Sequence, residues 1–458
     1  MNRLILALIQ AVEDAGVRFV SNYPGFHSEE FFTGIGGTTT SVNEKTAFAY
    51  AWGSSLAGKR SVVSFKNVGL NDAADAFLGA HFLGLRAGLV LLLFDDCDIQ
   101  HSQGRIDIRP YFDIYGGIWF EPRSVSEAYM LTRDAFALSE SFELPVVIRI
   151  TNILYDMGDS EPVEAWQRTT SASGQIRPLD RGRDASRFVA HPSQAHDQER
   201  RLSEKNQRIS VFVDGLYENW DKLEGPPSQI ICGAKRGCTD EDALRIFTLP
   251  LPEKRLKALY RDFDPGDITV FEHGALPYMR DAVMEAVSAE IPKSRIMRPP
   301  EDNRFEYHNS NLMEKLFLPL STDEDIIVVG DIGSYTMDPH QTVMACLCYG
   351  AAIATAIGMA DALPDKRIIA VTGDAAYLHS GQNCLWEAAE RGLDLSIIIL
   401  ENGGALTTGG QHIPGNLTLH PSQARLREHD FGKMSKEDCC DMIQDLKEPG
   451  INIVIIHV

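Results

Sequence analysis

A chain of 458 residues is too long for one hydrophobic core, so two to four domains are expected. A formal net charge of −21 and a pI of about 5.0 repel nucleic acid and anionic membrane, which argues against both as partners. Apolar runs stop short of bilayer length, Met1–Leu8 leads into polar Gln10–Asp14 without a small-residue cleavage site, and the eight cysteines form no CxxC pair. The expectation is a chain without a signal peptide in a reducing cytoplasm, with no zinc ribbon or ferredoxin-type cluster.

In chain order, the periodicity predicts a helix over Leu4–Ala15, a strand over Val17–Ser21, and a turn at Pro24-Gly25. A helix at Thr46–Leu56, a strand at Ser61–Phe65, a helix at Asp72–Leu83 and a strand at Leu89–Phe94 follow. Val125–Ser139 reads as a helix and Pro145–Ile150 as a strand. Such alternation, with apolar strands, implies a parallel sheet covered on both faces. Ser171–Arg208 is polar and aperiodic and reads as a surface linker. A smaller α/β unit is expected next, with strands Gln229–Cys232 and Ile268–Phe271 and a helix Leu276–Ala289, then a connector at Ser294–Thr322. The C-terminal part repeats the strand–helix pattern, with strands at Asp325–Gly330, Arg367–Thr372, Leu395–Leu400 and Asn452–His457 and a Gly/Ala-rich helix at Cys348–Leu363. Gly34-Ile35-Gly36-Gly37 is no dinucleotide fingerprint, since no strand leads into it and no helix follows at once.

The chemistry concentrates in Arg367–Gln411. An apolar strand delivers Gly373-Asp374-Ala375-Ala376, a helix follows at about Ser380–Arg391, and a second strand delivers Glu401-Asn402-Gly403-Gly404. Asp374 and Asn402 thus fall at the carboxyl ends of two strands, where open α/β sheets bind ligands. Their oxygens suit Mg²⁺, which typically joins protein to a diphosphate, and the Gly404 carbonyl is a candidate third ligand. Gly373, Gly403 and Gly404 let backbone approach phosphate, and the helix N-terminus adds N–H donors. The 29-residue spacing from Gly373 to Asn402 resembles the thiamine-diphosphate (ThDP) motif of thiamine enzymes, with Ala375 and Glu401 departing from its usual Gly and Asn. An ordinary βαβ unit with a turn Asp and a turn Asn has the same pattern.

Asn43-Glu44-Lys45 precedes the Thr46–Leu56 helix. Either Glu44 only stabilises a helix N-terminus, or it is the sheltered carboxyl that ThDP chemistry needs beside its aminopyrimidine. The resemblance places that group after the second strand of the N-terminal domain.

Longer segments extend the likeness. Asn43–Gly58, Lys66–Asn71, Asp95-Asp96, His101-Ser102-Gln103, Asp107-Ile108-Arg109, Thr248–Lys254, Gly330–Thr336, Gly373–Gly381 and Gln411–Gly415 resemble the α subunit of indolepyruvate:ferredoxin oxidoreductase, in the same order. The resemblance implies an α/β fold with two doubly wound ThDP-binding domains, pyrimidine and diphosphate, and a smaller α/β middle domain. The expected boundaries are a pyrimidine domain over 1–165, a linker over 166–225, a middle domain over 226–300 and a diphosphate domain over 301–458. It implies ThDP and Mg²⁺ as cofactors and a homodimer. Departures are Asn67, Gln100 and Gly410 where the family tends to carry His, and an end at Val458 in place of a ferredoxin-like domain.

The implied roles follow. Glu44 activates the cofactor, and Asp374, Asn402 and Gly404 bind the metal. Gly373, Ala375, Ala405 and Leu406 offer amides to the diphosphate, and Tyr349 stands near the apolar buttress or is a core aromatic on a buried helix. The Pro24-Gly25 turn lies at the cofactor. His379 donates a proton or caps a helix, while His101 and Gln103 line the substrate pocket. Arg105 and Arg109 neutralise a substrate carboxylate or form ion pairs with Asp107 or Glu121, and His27 reaches the pocket or faces solvent. The expected function is non-oxidative decarboxylation or carboligation of a 2-oxo acid, an arylpyruvate or similar, through a C2 carbanion/enamine. The alternatives are an oxidoreductase α component whose iron–sulfur clusters sit on a separate or γ-type partner, and a catalytically altered ThDP-binding protein.

Overall fold

The structure, a computed structural model, describes residues 1–100, 102, 106–158, 176, 178–180, 184, 187–223, 225–235, 243–273, 276–287, 310–404 and 411–458. The first of three sheets contains β1 (Phe19–Asn22), β2 (Ser61–Lys66), β3 (Leu89–Asp95), β4 (Ile118–Phe120), β5 (Val146–Thr151) and β9 (Thr248–Leu249), in the order β1-β2-β3-β5-β4-β9. Every neighbour pair in it is parallel except β4 with β9. All of β3 is buried, as an apolar central strand with both faces covered must be. A small parallel sheet holds β7 (Gln229–Cys232), β8 (Leu244–Ile246) and β10 (Thr269–Phe271), ordered β10-β7-β8.

The third sheet is parallel throughout and runs β15-β16-β14-β13-β11-β12-β6. Its strands are β6 (Phe188–Val189), β11 (Ile326–Gly330), β12 (Val343–Cys346), β13 (Arg367–Gly373), β14 (Leu395–Glu401), β15 (Arg425–Asp430) and β16 (Ile451–His457). From β11 the chain adds β12 on one side and then crosses to β13 on the other. The carboxyl ends of β11 and β13 therefore flank a crevice where ligands bind in doubly wound sheets.

The stretch expected as a linker departs from that reading. Phe188–Val189 is an edge strand of the third sheet, and Ala195–Leu216 is a 22-residue helix burying Leu202, Ile209 and Val213. Only a narrow apolar stripe marks this helix, between long charged side chains whose stems cover the rest. Within the expected Ser294–Thr322 connector, residues 310–322 are helical, and the preceding residues lie outside the described set. The helix expected from Cys348 begins at Ala352, because Gly350 at φ 78° interrupts helical backbone.

Two helices join the outer sheets. Glu44–Leu56 and Ala352–Ala362 cross backbone to backbone at glycines. A Cβ added at Gly53 would lie 3.0 Å from the Thr355 carbonyl carbon, and one at Gly358 would lie 2.8 Å from that of Tyr50. Ser54 Oγ donates to the Gly358 carbonyl at 3.1 Å, and the Tyr50 hydroxyl donates to Asp361. Beside the crossing, Ser41 Oγ donates to Glu387 Oε1 at 2.9 Å. Among the described residues no helix is long and apolar enough to cross a membrane. The seven described cysteines are free thiols.

Candidate functional site

Three oxygen-bearing side chains stand at the carboxyl ends of adjacent strands in the third sheet: Asp331 after β11, Asp374 after β13 and Asn402 after β14. Asp374 is buried, and each carboxylate oxygen accepts one backbone N–H: Oδ1 from Ala375 at 2.8 Å and Oδ2 from Gly403 at 3.0 Å. The bond from Gly403 ties the ends of β13 and β14 together. A carboxylate has about four lone-pair sites, so coordination capacity for a cation remains. Asn402 is exposed at the rim. Gly404 has left-handed backbone at φ 151°, and a Cβ there would fall 3.0 Å from the Gln411 carbonyl carbon. Among the described residues an added Cβ at Gly373 or Gly403 would meet nothing within 4 Å, and such bare backbone suits close approach by phosphate oxygens.

Asp331 is fully buried and organises the neighbouring turn. It accepts the Gly350 N–H at 2.5 Å and the Thr372 hydroxyl at 3.1 Å. Burial pushes its carboxyl up to about 6, against the opposing pull of these hydrogen bonds. The Gly350 turn presents Tyr349, half-buried, with its ring edge-on to His379 at 5.2 Å between centroids. The helical course starts at Asp374, so His379 caps nothing: it is exposed on a π-helical turn over Tyr377–Gly381. Such turns often accompany functional sites. His379 Nδ1 lies 3.0 Å from Ser380 Oγ.

The opposite wall comes from the first sheet. Asn43 caps the Glu44–Leu56 helix through its side-chain oxygen, which accepts the Thr46 N–H at 2.8 Å. Glu44 follows one strand, not two: the chain before it touches β1 through a single bond, Ser41 N–H to Asn22 carbonyl at 2.9 Å. The Glu44 side chain lies against the backbone of Gly69, where a Cβ would stand 2.5 Å from Glu44 Cγ. Burial pushes the Glu44 carboxyl above its ordinary range, the adjacent Asp72 charge pushes it the same way, and its own backbone N–H opposes both. Lys45, buried, donates from Nζ to the Tyr349 carbonyl at 2.7 Å. That bond joins the Glu44 helix start to the Tyr349–His379 pair.

Pro24 is exposed, and Gly25 packs on Lys66, to whose Cβ an added Cβ would approach within 2.9 Å. His27 stacks on Tyr155 at 3.6 Å and pairs with Glu30 at 3.7 Å, so it neither reaches a pocket nor stands free in solvent. Arg109 is fully buried and bound to Asp107 at 2.6 Å and Glu272 at 2.7 Å, so it meets no substrate; the ion pair is buried, not superficial. His101, Gln103, Arg105, Ala405, Leu406 and Gly410 lie outside the described residues. Sequence reasoning passed over Lys45, Gly69, Asp72 and Asp331. The signals available were a charged residue inside an otherwise apolar helix and a Gly-Asp pair at a strand end.

Residues 331–443 match the family described as thiamine pyrophosphate enzyme, C-terminal TPP binding domain, the pyrophosphate being the diphosphate named above. Solved structures covering 99–100% of both chains include a Rhodococcus jostii ThDP-dependent 4-hydroxybenzoylformate decarboxylase (TM-score 0.58, 15% identity) and a Mycobacterium smegmatis thiamin diphosphate-dependent enzyme (TM-score 0.56, 15%). Residues 331–443 thus match a thiamine-diphosphate-binding domain, and the chain as a whole shares the multi-domain α/β fold of these structures. Along most of its length the chain also resembles the indolepyruvate oxidoreductase subunit IorA of Methanothermobacter thermautotrophicus, at 29% identity over 89% of this chain and 76% of the relative. The same subunit of Archaeoglobus fulgidus is 27% identical over 89% of this chain and 75% of the relative.

Proposed function

We propose that this chain is a ThDP- and Mg²⁺-dependent enzyme that decarboxylates a 2-oxo acid of the arylpyruvate class. The observation that carries the reading is the Asp374 carboxylate, tied to both strand ends and bordered by open glycine backbone. In this reading Asp374, Asn402 and the Gly404 carbonyl hold the metal, and the Gly373 and Ala375 backbone faces the diphosphate. Glu44, half-sheltered and with its carboxyl pushed above its ordinary range by burial, faces the aminopyrimidine; Pro24 and Gly25 border it, and Tyr349 supports the cofactor's bend. When bound, ThDP supplies the nucleophilic carbon that attacks the keto group and takes up the electrons left as CO₂ departs.

The likeness to IorA subunits over most of the chain favours an oxidative fate, with the electrons passed to an iron–sulfur or γ-type partner subunit. A second, non-oxidative reading is favoured by His379, an exposed imidazole beside Tyr349 placed to return a proton to the product or to leave room for a carbonyl acceptor. Both readings expect a soluble cytoplasmic homodimer. The test is CO₂ release from an arylpyruvate panel by the purified chain with ThDP and Mg²⁺, with and without a redox dye. Dye-dependent release supports the oxidative reading and dye-free aldehyde or ketol supports the other. No release under either condition, with the partner subunit also supplied, would overturn the proposal.

A further inference from the structure

We propose that Cys97, Asp98 and His273 form a binding site for a thiolate-seeking divalent cation, Zn²⁺ by chemical preference, which clamps the first sheet to the middle sheet. The site uses none of the residues assigned to the cofactor.

Cys97 and Asp98 follow the carboxyl end of β3, and His273 follows β10 in the other sheet. One ligand atom from each, a sulfur, a carboxylate oxygen and a ring nitrogen, lies within 4.8 Å of the other two. Tetrahedral Zn²⁺ holds such atoms roughly 3.3–3.7 Å apart, given bond lengths near 2.0–2.3 Å. Side-chain rotations of about 1 Å would close the set, and water would complete the shell. Mixed S, N and O donors favour Zn²⁺ over Mg²⁺ or Ca²⁺.

The surroundings point to a ligand as well. Asn152 is 1% exposed. Its Oδ1 accepts the Cys97 thiol proton at 2.9 Å, while its Nδ2 has no partner. A buried N–H₂ group left unpaired forfeits its hydration with nothing in return. Turning the amide over would aim Nδ2 at the sulfur, satisfying the orphan only if that sulfur is a thiolate. Binding displaces one proton: Cys97 S–H and M²⁺ become a sulfur–metal bond and H⁺. The nearby Arg149 guanidinium does not repel the ion as a bare charge, since Asp95 at 2.7 Å and Glu121 at 2.8 Å neutralise it.

The experiment uses the full chain, stripped of metal and titrated with Co²⁺ alone, then with Zn²⁺ in competition. One equivalent should give the near-ultraviolet thiolate-to-cobalt charge-transfer band, displaced by Zn²⁺ and retained in Asp374→Asn, whose own site offers only oxygen. Cys97→Ser should abolish the band. Asp98→Asn, an exposed change that leaves folding intact, should weaken Zn²⁺ binding about tenfold, and His273→Gln should weaken it at least as much. No band in the native chain, a band surviving Cys97→Ser, or unchanged Zn²⁺ affinity in Asp98→Asn would overturn the proposal.

Discussion

Replacing Gly69 by alanine separates positioning from folding. Gly69 has φ −65° and ψ −17°, a backbone that alanine adopts freely. Losing the extra freedom of glycine in the unfolded chain should stabilise the fold by about 0.4–1 kcal/mol. The new methyl, however, would sit 2.5 Å from Glu44 Cγ, where ordinary contact begins near 3.4 Å. The Glu44 side chain must therefore withdraw by about 1 Å, a displacement that costs on the order of 100-fold in rate when it misplaces a reacting group. This corresponds to about 3 kcal/mol of barrier. We expect Gly69→Ala to lower kcat for 2-oxo acid decarboxylation about 100-fold, and the proton exchange of bound ThDP at C2 in parallel. Its Tm should match or exceed that of the native protein. Unchanged exchange and turnover would refute the assignment of Glu44 to the cofactor. A large fall in Tm would refute the account of Gly69 as a spacer.

Glu44→Gln should bind ThDP within about threefold of the native affinity by calorimetry, yet slow C2 exchange by 100-fold or more, the usual scale for a lost acid–base group. Gly53→Ala drives a methyl into the Thr355 backbone and should lower the unfolding free energy by about 1–3 kcal/mol or more, read as a lower urea midpoint. Asp331 holds its proton more tightly when folded, its pKa raised from 3.8 to about 6. Its contribution to stability is therefore full below about pH 4 and is lost as pH rises through 6, amounting to about 3 kcal/mol. Asp331→Asn should flatten the stability–pH curve over that interval and leave the midpoint at pH 8 no lower than native, as read by urea unfolding across the range.

What the sequence disclosed, and what it hid, follow from the range of the interactions. Strands such as Leu89–Asp95 and Ile451–His457 announce themselves because each holds an unbroken apolar run, Leu89–Phe94 and Ile453–Ile456, and β13 and β14 carried Asp374 and Asn402 to the crevice for the same reason. The Ala195–Leu216 helix was opaque because its buried stripe is sparse among charged residues. Asp107 was a legible local partner for Arg109, but its second partner, Glu272, lies 163 positions away, so no local pattern could announce the burial of the whole ion-pair cluster. Lys45 was hidden similarly, since its acceptor, the Tyr349 carbonyl, is 304 positions distant and is main chain.

The short β6 strand bears on how the gene may be cut. Phe188–Val189 covers the open flank of β12 by pairing with Ala345 and Cys346, although it precedes the rest of that sheet by more than a hundred positions. A fragment begun near residue 300 would lose this cover and present unpaired N–H and C=O groups, a template for intermolecular pairing. Expression of the cofactor-binding half alone therefore calls for carrying the 188–189 stitch along, or supplying it on a second polypeptide.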